Sequence, residues 1–202
     1  MKKIILLLLF IASLLDAESK VYFGTGYAYS SETITYDEDE WVINNSVARI
    51  KIGYGSKKAY AVELSFDYTD NSSRIFDLND GKKYGFNIEL LKAWDFGITE
   101  DRLAELKDEL LKTGDLGIYV NPYVKAGFGG GYLETSTDIH NNSLGYGSFN
   151  LGAGLFIPIN KNFDLEVAYE YRYTSYQKLD LSSALIPSSH LNIGYVGINF
   201  RF

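Results

Sequence analysis

The sequence ends with Asn192-Ile-Gly-Tyr-Val-Gly-Ile-Asn-Phe-Arg-Phe202, in which two kinds of side chain alternate. Successive side chains of a β-strand point to opposite faces, so this strand has one large apolar face and one small or polar face. The last strand of a transmembrane barrel has this character, because its large side chains contact lipid while its small and polar ones line the interior. The apolar face consists of Val196, Ile198, Phe200 and Phe202, and the opposite face includes Gly197, Asn199 and Arg201.

Seven earlier segments alternate in the same way and are long enough to cross a bilayer as tilted strands. The sequence therefore predicts an all-β protein, an eight-stranded antiparallel transmembrane up-and-down β-barrel. The fifth segment is the longest, and we expect Pro122 to produce a bulge or a strand end because proline lacks the amide donor. The seven segments are 21–30, 46–55, 59–69, 83–94, 116–133, 148–157 and 162–173.

The connections between these segments alternate in length. Segments two and three, and again six and seven, are joined by tight turns at 55–58 and 158–162. Short periplasmic turns and longer extracellular loops are the rule in outer-membrane barrels, and an even strand count places both termini on the periplasmic side. The predicted outer loops are 31–45, 70–82, 134–147 and 174–189.

One inner connection breaks this pattern and predicts a short periplasmic helix over 99–113. Thr99 is a suitable N-cap, and Gly114 is a suitable residue to end the helix. An apolar stripe along this segment suits a helix that caps the barrel or lies at the membrane surface, and a partner-binding helix is the alternative. The stripe consists of Leu103, Leu106, Leu110 and Leu111.

The N-terminus has the layout of a secretory signal peptide. Lys2 and Lys3 precede an apolar run over 4–15, which is too short for a spanning helix. Cleavage after Ala17 gives a signal peptide of residues 1–17 and one outer-membrane β-barrel domain of residues 18–202.

Composition narrows the class of protein further. The chain has 17 Tyr and 12 Phe, a surplus that aromatic girdles at two membrane interfaces would use. A net charge of -7 argues against nucleic-acid binding, which needs a basic surface. The absence of Cys excludes disulfides and thiolate metal sites, and we expect no cofactor.

Charged residues on the predicted strands fall almost entirely on the face opposite the large apolar side chains. An Arg or Lys at mid-membrane on the lipid side costs about 2–4 kcal/mol, so this parity assigns the charged face to the interior. The interior of an eight-stranded barrel is just wide enough for side chains to fill it, which predicts a plug of ion pairs. The predicted interior network consists of Arg49, Lys51, Lys125, Arg172 and Arg201 with Glu63, Asp67, Glu89, Glu166 and Glu170.

These features together resemble the small OmpA/OmpX-type outer-membrane β-barrel family. The resemblance covers nearly all of residues 18–202 and is one of pattern. It implies a location in the outer membrane, contact with outer-membrane lipid, and a C-terminal strand that the barrel assembly machinery reads through its terminal aromatic residue. A closed barrel has no free edge, so we expect a monomer.

Lipid A-modifying enzymes also use this scaffold, with His, Ser and a carboxylate as their catalytic residues. The candidates are His140 and His190, with Ser182, Ser188 or Ser189 as a nucleophile for the latter. Solvated loop histidines are the simpler interpretation, and the two His lack metal-ligand spacing. The acidic run 37–40 suits a solvated loop better than a cation site, and the glycines of 127–131 lack the helix that a phosphate cradle needs.

We therefore expect a non-enzymatic outer-membrane barrel that serves as an anchor, with four outer loops for surface contact or envelope integrity. The first alternative is a narrow pore for ions or small solutes, lined by the inward charges. A lipid A-modifying enzyme is a less favoured alternative. A soluble lipocalin-type barrel is disfavoured, because it would place its charged face outward and its apolar face inward.

Overall fold

A computed structural model describes residues 19–36, 39–56, 59–71, 81–94, 120–134, 143–160, 162–178 and 186–202. These residues form eight β-strands, and within these ranges no helix is long and apolar enough to cross a membrane. The strands are β1 (Lys20–Tyr36), β2 (Asp39–Gly55), β3 (Tyr60–Asn71), β4 (Gly81–Ala93), β5 (Asn121–Glu134), β6 (Ser143–Pro158), β7 (Phe163–Tyr176) and β8 (Ser188–Arg201).

Each strand pairs antiparallel with the next, and the sheet closes on itself. Closure is made by β1 and β8, which pair from Tyr22 opposite Arg201 to Thr35 opposite Ser188. The prediction of a closed eight-stranded antiparallel barrel is confirmed. The predicted signal peptide at 1–17 and helix at 99–113 lie outside the described residues.

The outward face of the barrel wall has two rows of aromatic side chains. Tyr84 lies between Tyr68 and Tyr132 on neighbouring strands, with ring centroids 5.5 and 4.9 Å away. The row near the termini includes Phe200, 4.7 Å from Phe163 between centroids, and Tyr60. Tyr60 and Tyr68 lie on the same strand, about 20 Å apart along the axis of a barrel with tilted strands. We call the wall between the two rows the membrane belt.

The strands extend beyond the membrane belt at the end opposite both termini, which we call the outer end. It comprises residues 30–36, 39–46, 69–71, 81–83, 131–134, 143–146, 174–176 and 188–191.

The outer end corrects the predicted loop at 31–45. β1 continues to Tyr36 and β2 begins at Asp39, and the two strands stay paired throughout. The physical reason is that apolar and polar side chains exchange faces relative to the membrane belt. Ile34 and Ile43 are buried inside the barrel, while Thr33 and Thr35 point outward. β6 is extended in the same way, with an apolar side chain buried inside, and it starts at Ser143 within the predicted loop 134–147. β7 ends at Tyr176 and β8 begins at Ser188, each only a few residues inside the predicted loop 174–189.

The interior of the outer end is an apolar cluster. Ile34 and Leu144 are fully buried in it, and Trp41 packs against it partly buried. Burial of this size contributes about 1.5–3 kcal/mol for each large side chain. The cluster therefore stabilises strand pairing beyond the level at which lipid would contact the wall.

The fifth strand runs from Asn121 to Glu134 without interruption, and positions 116–119 of the predicted segment lie outside the described residues. Pro122 lies at its second position, so the expected strand end is found there, and its carbonyl accepts a hydrogen bond from the Trp94 amide (3.0 Å). The glycines allow close strand packing, because a Cβ on Gly131 would lie 1.8 Å from the Tyr84 carbonyl oxygen. The glycine-rich run 127–131 is thus explained by the fold alone.

Each of the two predicted tight turns contains a residue that suits it. Gly55 ends β2 with a φ of 150°, and a Cβ there would lie 2.3 Å from the Tyr60 carbonyl oxygen. The Asn160 side-chain oxygen accepts hydrogen bonds from the amides of Asn162 (2.9 Å) and Phe163 (3.0 Å). These local contacts keep both hairpins short at the end where the termini lie.

Candidate functional site in the barrel interior

Arg49 on β2 connects two opposite sides of the barrel. Its Nε donates to Asp67 Oδ1 on the neighbouring β3 (2.6 Å), and its Nη2 donates to Glu170 Oε2 on β7 (3.0 Å). The side chain is 1% exposed, so both carboxylates neutralise it away from water. Guanidinium groups suit this position because their planar donors serve two carboxylates at once.

Lys51, two residues along the same face of β2, also bridges across the interior. Its Nζ lies 2.8 Å from Glu63 Oε2 on β3 and 2.5 Å from Glu166 Oε2 on β7. Two tyrosine hydroxyls also donate hydrogen bonds to these carboxylates: Tyr22 to Glu63 (2.9 Å) and Tyr123 to Glu166 (2.6 Å). Neither tyrosine was predicted to lie inside, because the tyrosine surplus was assigned to the outward girdles.

Lys125 and Arg172 join the remaining carboxylates to this network. Lys125 Nζ lies 2.8 Å from Glu89 Oε2 and 2.5 Å from Glu170 Oε1. Arg172 lies 2.7 Å from Asp67 Oδ2 and 3.0 Å from Glu170 Oε2. The structure thus brings nine of the ten predicted interior residues into one network, which we call the central cluster. It consists of Arg49, Lys51, Lys125, Arg172, Glu63, Asp67, Glu89, Glu166 and Glu170.

Arg201 is the exception among the predicted interior residues. It lies inside the barrel, but its Nε donates to Asp164 Oδ2 (2.6 Å) near the end where the termini lie. Its guanidinium carbon also lies 4.6 Å from the Tyr22 ring centroid, which forms a cation–π contact. Asp164 was absent from the predicted network, although it has the same strand parity as Glu166.

A further ion pair lies towards the outer end, and the sequence reasoning missed it. Lys83 Nζ lies 2.8 Å from Glu32 Oε1, which also accepts hydrogen bonds from Tyr176 (2.6 Å) and Ser189 (2.6 Å). Glu32 was missed because it falls inside the predicted loop 31–45. Lys83 has the parity of Asn87 and Glu89, so the alternation of β4 would have identified it.

Of the histidine and serine candidates, Ser189 and His190 do not form a catalytic pair. Ser189 points inward to Glu32, whereas His190 points outward and its Nδ1 bonds to the Tyr171 hydroxyl. Adjacent strand residues face opposite sides of the wall, so Ser189 cannot serve His190. Ser188 shares the outward parity of His190, and His140 and Ser182 lie outside the described residues.

The ranges described contain no cluster of three or more His, Asp or Glu side chains arranged to hold a metal ion. Of the acidic run at 37–40, Asp39 and Glu40 begin β2, and the other two residues are not described.

Comparison with known proteins agrees with this geometry. The family description "Outer membrane protein beta-barrel domain" matches residues 4–200, which is nearly the whole chain. The chain belongs to this outer-membrane β-barrel family. Family membership implies a location in the outer membrane and explains why the apolar face of the wall points outward. Among curated proteins, none matches the sequence.

Two solved structures of bacterial proteins have a similar fold. Neisserial surface protein A aligns with a TM-score of 0.61 and 14% identity, over 90% of this chain and 97% of that one. Ail, the attachment invasion locus protein of Yersinia pestis, aligns with a TM-score of 0.54 and 22% identity, over 92% of this chain and 99% of that one. At these identities the likeness establishes the shared barrel fold.

The C-terminal strand of this outer-membrane barrel has the predicted alternation. Val196 and Ile198 are exposed on the outward face, and Phe202 is 68% exposed. Phe200 is partly covered, because its ring packs against Phe163 and, at 4.6 Å between centroids, against Phe202. The role of these residues as an assembly signal stays a prediction.

Proposed function

We propose that this protein is a non-enzymatic integral outer-membrane barrel whose wall is an anchor and whose interior is closed. Its outer end and the connections above it would be the functional surface, for contact with the surroundings or for envelope integrity. The observation that supports this proposal most is the central cluster, because Arg49 and Lys51 join β2 to β7 across the interior. Ion pairs that span the interior in this way obstruct it for solutes.

The energetics of the central cluster favour a static plug. Removing one partner of a buried ion pair costs about 3–5 kcal/mol, because the other charge is left uncompensated in a low dielectric. A continuous path would require several such pairs to separate together. Two aromatic rings between the cluster and the end where the termini lie add to the obstruction. They are the buried rings of Tyr123 and Phe156, which stack 4.5 Å apart.

We infer the remaining partners from the same features. The membrane belt would contact outer-membrane lipid. The C-terminal strand from Asn192 to Phe202 would engage the barrel assembly machinery after export directed by residues 1–17. Every strand edge pairs within the closed sheet, which favours a monomer.

The test of this proposal is single-channel conductance of the refolded protein lacking residues 1–17 in a planar bilayer. A mobility difference between unheated and boiled gel lanes would verify folding of the same sample. We expect a folded and electrically silent barrel. Steady, discrete openings would contradict the proposal and favour the narrow-pore alternative.

Two variants would decide whether any observed openings pass through the interior. Glu63→Gln changes a carboxylate of the central cluster, whereas Glu134→Gln changes an exposed carboxylate on β5. A pore lined by the cluster would change its conductance in Glu63→Gln and keep it in Glu134→Gln. Openings that respond to neither variant would come from leakage outside the barrel interior.

A further inference from the structure

The central cluster has unequal numbers of opposite charges. Among the described residues, its four cations face five carboxylates. The two other interior ion pairs, Arg201 with Asp164 and Lys83 with Glu32, are each balanced one to one. One negative charge of the cluster is therefore uncompensated if every carboxylate is ionised, and an unpaired buried charge is strongly unfavourable.

Two carboxylate oxygens of this cluster have no hydrogen-bond partner in the part of the chain described. They are Glu63 Oε1 and Glu89 Oε1, and both side chains are buried, with residue exposures of 0% and 2%. Lys125 Nζ approaches Glu63 Oε1 only to 3.8 Å. An ionised carboxylate oxygen accepts hydrogen bonds and donates none, so these two oxygens cannot satisfy each other while both groups are charged.

The strand register places the same two residues side by side. Glu63 on β3 and Glu89 on β4 are directly opposite in the antiparallel ladder, and both point inward. Directly opposed residues have Cβ atoms about 4.5–5.5 Å apart, and like charges at this spacing destabilise a sheet. A single proton would change one of the two acceptors into a donor, so both oxygens would be satisfied and the cluster would become neutral.

We propose that Glu63 and Glu89 form a proton-binding site in which the pair holds one proton between Glu63 Oε1 and Glu89 Oε1. Glu89 is the main holder, because Lys125, which contacts its Oε2, also serves Glu170. Glu63 is better compensated, since Lys51 and the Tyr22 hydroxyl both contact its other oxygen. The charged and titratable groups around the pair are Tyr22, Arg49, Lys51, Asp67, Tyr123, Lys125, Glu166, Glu170, Arg172 and Tyr195.

Infrared spectroscopy of the refolded barrel tests this proposal directly. A protonated carboxylic acid has a carbonyl stretch that ionised carboxylates lack. We expect this band in the wild-type protein at neutral pH and its loss in Glu89→Gln. A wild-type spectrum without the band would overturn the proposal, and so would a band that survives in the double variant Glu63→Gln/Glu89→Gln. In the first case, a bridging water between two ionised groups would be the alternative.

Unfolding in urea gives an independent readout with a matched control. Glu89→Gln keeps the cluster neutral, and its amide can donate to Glu63, so the unfolding equilibrium constant should match that of the wild type. Glu166→Gln is the same chemical change at an equally buried carboxylate, but it removes the partner of Lys51 and Tyr123. We expect Glu166→Gln to raise the unfolding constant about tenfold or more. Equal losses in the two variants would contradict the shared proton.

Discussion

The membrane belt and the outer end belong to the same eight strands, yet they distribute polarity in opposite ways. In the belt, Arg49 lies inside and its neighbour Ile50 is exposed outside. At the outer end, Ile34 lies inside and its neighbour Thr33 points outward. The strand geometry is the same in both regions, so the difference must come from what surrounds the wall.

We infer from this contrast that the surrounding medium, and not the fold, sets which face of a strand is apolar. Lipid outside the belt favours apolar side chains there, and the narrow interior then collects the charges as ion pairs. Water outside the outer end reverses the preference, and the interior becomes an apolar core of the ordinary kind. The ion pair of Glu32 and Lys83 lies at the boundary between the membrane belt and the outer end.

The largest effect should come from breaking the central cluster of the belt. Arg49→Met leaves Asp67 and Glu170 with one cation fewer in a dry interior, and we expect a loss of about 3–5 kcal/mol in the free energy of unfolding. Urea unfolding of the barrel refolded in lipid vesicles measures this. Lys92→Met on the outward face is the control and should change little, whereas equal losses would contradict a special role for the cluster.

The next effect sharpens the comparison on the outward face. Ile88→Arg places a charge towards lipid in the belt and should cost about 2–4 kcal/mol. Thr33→Arg makes the same addition at the outer end, where water solvates the charge, and should stay within about 0.5 kcal/mol. The same unfolding experiment compares the two variants. A large loss in Thr33→Arg would mean that lipid also surrounds the outer end.

A smaller effect is expected at the boundary between the two regions. Lys83→Met removes the cation that faces Glu32, but the Tyr176 and Ser189 hydroxyls still donate to that carboxylate. We therefore expect a loss of about 1–3 kcal/mol in the free energy of unfolding. Lys82→Met, one residue earlier and exposed, is the matched control. No difference between the two variants would show that the Glu32 pair is not a stabilising contact.

The belt was predictable from sequence because its alternation is long and simple. Positions such as Arg49 and Glu63 alternate strictly with large apolar neighbours, so both the strands and their inward charges follow from period-two alternation. Lys83 and Asp164 have the same inward parity. Listing every inward position of β4 and β7 would therefore have identified both residues from the sequence.

The outer end was not predictable by the same rule, because the rule assumed lipid outside every strand. Ile34 and Ile43 alternate with polar residues as they would in a soluble protein, so the segment around them was assigned to a loop. The partners within the interior could not be predicted either. Arg201 pairs with Asp164 and not with a glutamate because of its height along the barrel, which depends on strand register.

The most direct test of the account is a depth profile along β1 with single spin-labelled cysteines. The chain contains no Cys, so each label reports on one position. We predict that labels at the outward positions 23, 25 and 27 collide with oxygen dissolved in lipid, and that labels at 31, 33 and 35 collide with a water-soluble nickel chelate. A profile in which lipid contact continues through position 35 would contradict the account.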